Sequence, residues 1–225
     1  MCTILLRLAP DSDEPVLLAA NRDEFRDRPA DDPHAIVHGV FAGRDRLAGG
    51  TWLAVGARGL AALTNVSAPR RPDARSRGDL ALAALAGRLP TDFTPYNPFN
   101  LLVVDARGAR LFIRAPDGGT HGPIALGPGD HVVVNEPFGA NGGPRARHAA
   151  ELVAGATPDF DLLASHGVHG DDGLCHHGDA YGTVSSTVVA LDRSLRVARY
   201  LHRPGRPCRT ATVDLPAAAR AATRG

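Results

Sequence analysis

The sequence predicts an α+β protein in which mainly antiparallel sheets stack on each other and helices cover them from outside. Short apolar segments of strand length follow one another through turn-forming residues, which is typical of hairpins. Several of these segments are apolar at nearly every position, so both of their faces must be covered. Only two or three segments carry helix signals, which fits a few helices packed on the outside of sheets.

The first half of the chain contains two predicted hairpins. Strands at 4–8 and 16–20 are joined by a turn rich in Pro and Asp. Residues 26–40 are rich in Asp, Arg and Pro, and we expect a loop there. The remaining strands of this half are predicted at 41–47, 51–55 and 60–63. The last two form the second hairpin through the turn at 56–59.

The second half combines helices with further strands. A helix is predicted at 77–85, with Ser76 at its start and Gly87 at its end. A second begins at Pro144 and runs to residue 153, and a short third helix is predicted at 160–166. Strands are predicted at 100–104, 109–114, 131–134, 184–191 and 195–201.

Length and composition favour one domain spanning residues 1–225, with an Ala-rich tail from about residue 212 that is helical or loosely packed. A chain of 225 residues with a net charge of +1 argues against nucleic acid as the main partner. The chain has no lysine, so we attribute arginine pairs such as Arg70-Arg71 to a compositional bias. No apolar run of membrane-spanning length and no secretory signal is visible, and we expect a cytoplasmic protein without integral membrane association.

Cys2 is the first candidate for catalysis. Removal of Met1 would leave a thiol and a free α-amine on one residue, and an amine of pKa near 8 can act as the base for that thiol. The first hairpin can bring Asn21-Arg22-Asp23-Glu24, at the end of the second strand, close to Cys2. There an arginine would favour the thiolate, and a carboxylate could hold the α-ammonium.

Cys2 together with Asn21-Arg22-Asp23-Glu24 resembles the NRDE family, which includes the transport and Golgi organisation proteins. Further motifs match in the family's order along most of the chain. They are Gly49-Gly50-Thr51-Trp52-Leu53, Leu60-Ala61-Ala62-Leu63-Thr64-Asn65, Ser76-Arg77-Gly78, Phe99-Asn100-Leu101-Leu102 and Tyr181-Gly182-Thr183. The family is similar to N-terminal nucleophile hydrolases, so the resemblance implies a four-layer αββα sandwich.

The resemblance implies two functions of different classes. One is an amidohydrolase that acts on linear C–N bonds of a small-molecule amide, with an acyl-enzyme on Cys2. The other is a binding or trafficking protein for a hydrophobic ligand such as an acyl lipid, acyl-CoA or haem. The cysteine at position 2 favours the enzyme. Val184 favours the carrier, because members of the family commonly have an arginine there.

Two asparagines that follow apolar strands, Asn65 and Asn135, resemble residues of cysteine acylases that bind the oxyanion or orient the α-amine. Within the charged segment, charge type favours Arg22 and Asp23 as catalytic partners, while a gap-free match to the acylases favours Asn21 and Glu24. The resemblance adds five supporting residues, which are Thr51, Trp52, Thr64, Ser185 and Ser186.

Residues 167–180 are rich in Gly, Asp and His and lack periodicity, and we interpret them as a solvated loop. His166, His169, His176 and His177 lie in or beside this segment with Asp171, Asp172, Asp179 and Cys175. Their spacing matches no standard metal motif, and Cys208 fits neither a disulfide framework nor a zinc site with the other cysteines. We therefore expect no metal and no cofactor.

Overall fold

The computed structural model describes residues 2–139, 142–168 and 172–224, and every element below lies within those ranges. The strands are β1 (Thr3–Leu8), β2 (Val16–Phe25), β3 (Ala30–Val37), β4 (Val40–Asp45), β5 (Leu53–Gly56), β6 (Gly59–Asn65), β7 (Phe99–Asp105), β8 (Gly108–Arg114), β9 (Thr120–Leu126), β10 (Gly129–Val133), β11 (Tyr181–Leu191), β12 (Val197–Arg203) and β13 (Val213–Asp214). The helices are α1 (Gly78–Leu85), α2 (Pro144–Gly155), α3 (Phe160–Leu163) and α4 (Pro216–Ala222).

These strands form two antiparallel sheets in the described part of the chain. The seven-stranded sheet has the order β3-β4-β5-β6-β7-β8-β9, so each strand pairs with its neighbour in sequence. The six-stranded sheet has the order β10-β1-β2-β11-β12-β13. It therefore places the N-terminal hairpin between strands that come from the second half of the chain.

Apolar side chains on both faces of each sheet explain the packing. Leu6 and Leu18 of the six-stranded sheet share one buried cluster with Leu53 and Leu102 of the seven-stranded sheet. A second cluster joins the other face of the six-stranded sheet to α2 and α3, and a third joins the other face of the seven-stranded sheet to α1. The sheets therefore pack face to face with helices on their outer faces, as strands that are apolar on both faces require.

The structure confirms both predicted hairpins and the helices α1 and α2. The prediction of a loop at 26–40 is wrong, because β3 pairs with β4 as the edge strand of its sheet. Most of its side chains are exposed, and Pro33 is tolerated at an edge, so the segment lacks the buried apolar alternation of a central strand. The largely exposed β9 was missed for the same reason.

The remaining differences lie towards the C-terminus. The third helix ends at Leu163 rather than at residue 166, and the Ser165 carbonyl instead accepts the N–H groups of Leu174 and Cys175. The tail contains α4, whose Ala219 is fully buried in the cluster between the sheets. Within the described residues, no helix combines the length and apolar character needed to cross a bilayer.

Candidate active site

Cys2 directly precedes β1, at the open end of the first hairpin, and lines a cavity. Thr3 pairs with Asn21 across β1 and β2, so the preceding Cys2 reaches the end of β2. The Cys2 Sγ lies 3.9 Å from the Asp23 carbonyl oxygen. Cys2 and Arg22 both line a cavity of about 520 Å³. The structure therefore brings the thiol and the charged segment together as the sequence predicted.

Side-chain alternation divides the four residues between the two faces of β2. Arg22 and Glu24 line the cavity with Cys2, on the face that meets the other sheet. Asn21 and Asp23 point to the opposite face, where their side chains contact residues from the helix-covered side. Neither of the pairs suggested from the sequence lies on a single face, because each pair combines one odd and one even position.

Arg22 is held in place by an aromatic ring and a carboxylate. Its guanidinium carbon lies 4.3 Å from the centroid of the Trp52 ring, and its Nη2 lies 3.6 Å from the Asp45 Oδ2. Asp45 also accepts a hydrogen bond of 2.6 Å from the Arg28 Nε. Burial lowers the pKa of Arg22 from its usual value, although the neighbouring Cys2 opposes that shift. Arg22 is thus a desolvated cation beside the thiol.

The thiol itself is not poised as a thiolate. Burial raises the pKa of Cys2 above its usual value, and this outweighs the positive charges of the amino terminus and of Arg22. Arg22 lowers the pKa of Cys2, as the sequence predicted, but burial raises that pKa by more. Deprotonation of Cys2 at neutral pH requires a base, and no histidine lines the cavity in the ranges that the structure describes.

Asp23 has a fully buried side chain with several partners. Its Oδ1 accepts a hydrogen bond of 2.6 Å from the Thr183 hydroxyl, and its Oδ2 accepts one of 3.2 Å from the Arg145 Nη1 on α2. Burial raises the pKa of Asp23, while the amino terminus, Thr183 and Arg145 oppose the shift. Asp23 does not line the cavity, and its backbone carbonyl oxygen is the atom that lies 3.9 Å from the Cys2 sulfur.

Asn21 joins β2 to the loop before β11. Its Nδ2 donates to the carbonyl oxygens of Leu163 at 2.9 Å and Leu174 at 2.7 Å. Its Oδ1 accepts a hydrogen bond of 2.5 Å from the Ser186 hydroxyl. Asn21 and Ser186 thus form a buried structural link. Ser185 pairs with Arg22 across β2 and β11, next to the register break at Val184.

The two predicted asparagines contact each other but have different environments. Asn65 lines the cavity, whereas Asn135 is buried behind it and donates its Nδ2 to the Asn65 carbonyl oxygen. Thr64 donates to the Val134 carbonyl oxygen at 2.8 Å, so its hydroxyl joins the ends of two strands. Asn100 completes this connection by donating to Thr64, Val134 and Glu136.

Two glycines allow the start of α1 to approach the cavity. A Cβ added at Gly50 would lie 2.6 Å from the Gly78 carbonyl carbon, and one added at Gly78 would lie 2.8 Å from the Thr51 nitrogen. Only glycine permits this contact. It holds the buried Thr51 next to Gly78, and Thr51, Trp52 and Arg77 all line the cavity.

Sequence reasoning missed most of the arginines of the cavity. Six arginines but only two carboxylates line it, so positive side chains exceed negative ones by four. Burial and the nearby Arg70 lower the pKa of Arg77 to about 10. Arg70 and Arg71, which were attributed to composition, both belong to this wall. The arginines are Arg22, Arg28, Arg70, Arg71, Arg75 and Arg77.

The segment at 167–180 is not a fully solvated loop. Leu174 and Cys175 are buried, and the segment packs against β2 and β11. His166, Cys175 and His177 lie close to Cys208. His169 and Asp171, which the sequence grouped with them, lie outside the described residues.

Comparisons with known proteins show which family this chain is similar to. The family model for Transport and Golgi organisation 2 matches residues 1–158. The Transport and Golgi organization 2 homolog of Mus musculus is 35% identical over 160 residues. The Transport and Golgi organization protein 2 homologs of Bos taurus and Homo sapiens are each 34% identical over 160 residues. Each alignment covers 60% of this chain and 57% of the relative, so the chain spans little more than half the length of these relatives.

Proposed function

The chain belongs to the Transport and Golgi organisation 2 family, and from this premise we propose that it is an N-terminal cysteine amidohydrolase that cleaves a linear C–N bond through an acyl-enzyme on Cys2. One observation carries the proposal: the Cys2 thiol lines a cavity of about 520 Å³ beside the desolvated Arg22 guanidinium. In this proposal the two stacked sheets with their outer helices are the four-layer αββα sandwich of an N-terminal nucleophile hydrolase.

The α-amine of Cys2 supplies the base in this mechanism. The half-buried thiol, whose pKa is raised, is protonated at neutral pH, and the described lining of the cavity offers no imidazole to remove its proton. Removal of Met1 creates an amine on the same residue, close enough to act on the thiol. In this proposal the negative charge of Asp23 stabilises the ammonium that forms, because its carboxylate interacts electrostatically with the amino terminus although Asp23 does not line the cavity.

The reaction proceeds in two balanced steps. In the first, the thiol proton moves to the α-amine, the sulfur attacks the amide carbon, and a C–S bond forms. The α-ammonium then protonates the leaving nitrogen as the C–N bond breaks, which releases the amine and leaves a thioester on Cys2. In the second, a water molecule loses a proton to the α-amine, attacks the thioester, and releases the carboxylic acid and the thiol.

The oxyanion of each step needs donors that are already in place. We assign this role to the Asn65 side chain and the Arg22 guanidinium, which both line the cavity. Asn135 acts indirectly, because its amide donates to the Asn65 carbonyl oxygen and fixes the end of β6. Thr64 and Asn100 support the same strand end through their hydrogen bonds to Val134.

The excess of arginine indicates a negatively charged substrate. Buried or half-buried guanidinium groups bind carboxylate and phosphate in a fixed geometry. Arg28 is paired with Asp45, but Arg70, Arg75 and Arg77 have no carboxylate partner among the described ion pairs. We infer that the substrate is an N-acyl amide that carries a carboxylate or phosphate at the end that faces these arginines.

The same lining also favours the second candidate function, a carrier for an acyl ligand with an anionic end group. Acyl-CoA and haem both combine a large apolar part with anionic groups. Val184 favours this function, since it replaces the arginine that is expected from the resemblance to the family. In a carrier, binding would depend on the arginines and not on the Cys2 thiol.

The test measures turnover of N-acyl amides by protein from which Met1 has been removed. Each amide is supplied in two matched forms, a carboxylate and its methyl ester. We expect turnover of the carboxylate forms and an acyl adduct on Cys2 in the intact mass spectrum. Cys2→Ala should lower turnover by at least about 10³-fold, because no other group can form the acyl-enzyme. Arg75→Ala should raise the KM for the carboxylate form more than for the ester.

The carrier gives a different result. Turnover and adduct would both be absent, and binding of an anionic acyl ligand would be equal in the parent and in Cys2→Ala. Retention of Met1 in the purified protein would also exclude the amidohydrolase mechanism, since the base would be displaced by one residue.

A further inference from the structure

A cluster of metal-binding side chains lies away from the cavity, where two distant segments meet. His166, Cys175 and His177 belong to the connection between α3 and β11, and Cys208 follows β12. One nitrogen or sulfur atom from each residue lies within 4.8 Å of all the others. We propose that these four residues bind a zinc ion, where the sequence predicted a loop without metal.

The distances within the cluster are those of a tetrahedral site. With Zn–S of about 2.3 Å and Zn–N of about 2.0 Å, tetrahedral geometry separates two sulfurs by about 3.8 Å and a sulfur from a nitrogen by about 3.5 Å. The Cys175 and Cys208 sulfurs are 3.6 Å apart. The His177 Nε2 lies 3.5 Å from the Cys175 sulfur and 3.2 Å from the Cys208 sulfur.

His166 supplies the fourth ligand. Its ring meets the His177 ring edge to face, with 4.7 Å between the centroids. The His166 side chain is exposed, so a small rotation can bring its nitrogen to the ion while the other three ligands stay in place. A ligand set of two cysteines and two histidines leaves no open position, which is typical of a structural zinc site.

The positive charge of Arg206 beside the cluster favours an ion that is bound by negatively charged thiolates. Arg206 contacts His177 at the Nδ1 and at the carbonyl oxygen, at 3.4 and 3.3 Å. A cation held by neutral ligands would be repelled there, but two thiolates balance the two charges of zinc after their protons pass to solvent. When Nε2 binds the ion, Nδ1 carries the proton, so Arg206 keeps only its carbonyl contact. Thiolate ligands disfavour magnesium and calcium.

The zinc site would fix the loop before β11, which packs on the face of β2 opposite the cavity. The Leu174 carbonyl oxygen, next to Cys175, accepts a hydrogen bond from Asn21. His176, between two of the ligands, exchanges hydrogen bonds with Thr183, whose hydroxyl also donates to Asp23. A zinc ion that joins this loop to Cys208 therefore stabilises the partners of Asn21 and Asp23.

The inference is independent of the amidohydrolase proposal. The ligands lie beyond residue 158, where the match to the family model ends. They come from the face of the six-stranded sheet opposite to the cavity, and none of them lines it. The zinc site can therefore be tested without a substrate.

The test measures metal in the full chain, purified under reducing conditions from zinc-supplemented cells. Elemental mass spectrometry should find about one zinc per chain, as a closed site of four protein ligands requires. Replacement by cobalt should give intense thiolate-to-cobalt charge-transfer bands and the visible bands of a tetrahedral ion. Cys208→Ser and His177→Ala should each weaken zinc binding by more than about tenfold, because even loss of an outer-shell partner costs that much.

Cys2→Ser is the matched control, since it removes the third thiol of the chain and should leave the zinc content unchanged. The cobalt spectrum of the unsubstituted protein remains decisive if the substituted proteins fail to fold. A reduced protein that binds neither zinc nor cobalt would overturn the proposal. It would also be overturned by a Cys175–Cys208 disulfide in protein isolated from the cytoplasm, or by zinc content that is the same in Cys208→Ser.

Discussion

The two faces of β2 use adjacent polar residues in different ways. On the cavity face, Arg22 stacks on Trp52, lines the cavity with Cys2 and lies 3.6 Å from the Asp45 carboxylate. On the opposite face, the side chains of Asn21 and Asp23 are saturated by close partners from α2, α3 and β11. Adjacent polar residues of one strand can therefore line a cavity on one face and make buried structural contacts on the other.

Removal of the Asp23 carboxylate should have the largest effect on stability. Asp23→Ala leaves the Arg145 guanidinium buried without its carboxylate, so the free energy of unfolding should fall by about 3–5 kcal/mol. Glu24→Ala, on the cavity face, should change it by less than about 1 kcal/mol, because its ion pair with Arg28 is long and partly exposed. Urea denaturation followed by circular dichroism measures both.

A double-mutant cycle tests the stated cause. Asp23→Ala combined with Arg145→Met should be less destabilised than the sum of the two single substitutions, since neither charge is then left alone. Additive losses would show that Asp23 does not owe its effect to Arg145. Equal losses for Asp23→Ala and Glu24→Ala would remove the distinction between the two faces.

Arg22→Ala should have a smaller effect that appears mainly in reactivity. Loss of the cation near the thiol should slow alkylation of Cys2 at neutral pH by about fivefold, which corresponds to a contribution of about 1 kcal/mol. Loss of the stack on Trp52 should lower the free energy of unfolding by about 1 kcal/mol. Peptide-resolved labelling with iodoacetamide gives the rate.

Arg28→Ala is the matched control, because it removes the same charge from the same cavity at a position that is paired with Asp45. Labelling of Cys2 should change little in this variant. If Arg28→Ala slows labelling as much as Arg22→Ala does, the effect arises from the overall field of the cavity and not from the position of Arg22.

The sequence predicted the parts of this site that depend on local pattern. Hairpin signals placed Cys2 beside β2. In the structure, alternation along that strand separates Arg22 and Glu24 from Asn21 and Asp23. Choosing catalytic partners by charge type failed to respect that alternation, since it paired Arg22 with Asp23. Motif resemblance identified the family, which the comparison with the family model bears out.

The rest of the site depends on contacts between residues distant in sequence. Arg145 lies on a helix and is 122 residues after Asp23 in the sequence, so no local pattern predicts their contact. Arg77 reaches the cavity because the adjacent Gly78 packs against Gly50, a contact that is seen only in the folded chain. The cluster around Cys175 was missed similarly, since Cys208 lies 33 residues away and outside any standard spacing.

The pH dependence of Cys2 tests whether the cavity face is as desolvated as the structure indicates. Burial raises the pKa of Cys2 above its usual value of 9.0 in the folded chain, so in chains that retain Met1 the alkylation rate should reach its midpoint at a higher pH than in denaturant.

A raised pKa in the folded state also means that the protonated thiol stabilises the fold. This contribution should be complete below pH 9 and should be lost as the pH rises through the raised value, so the stability of the parent relative to Cys2→Ala should decline only above pH 9. A midpoint for Cys2 that is equal in folded and denatured protein would show that water enters the cavity freely, and Arg22 would then be an ordinary solvated cation rather than a desolvated partner of the thiol.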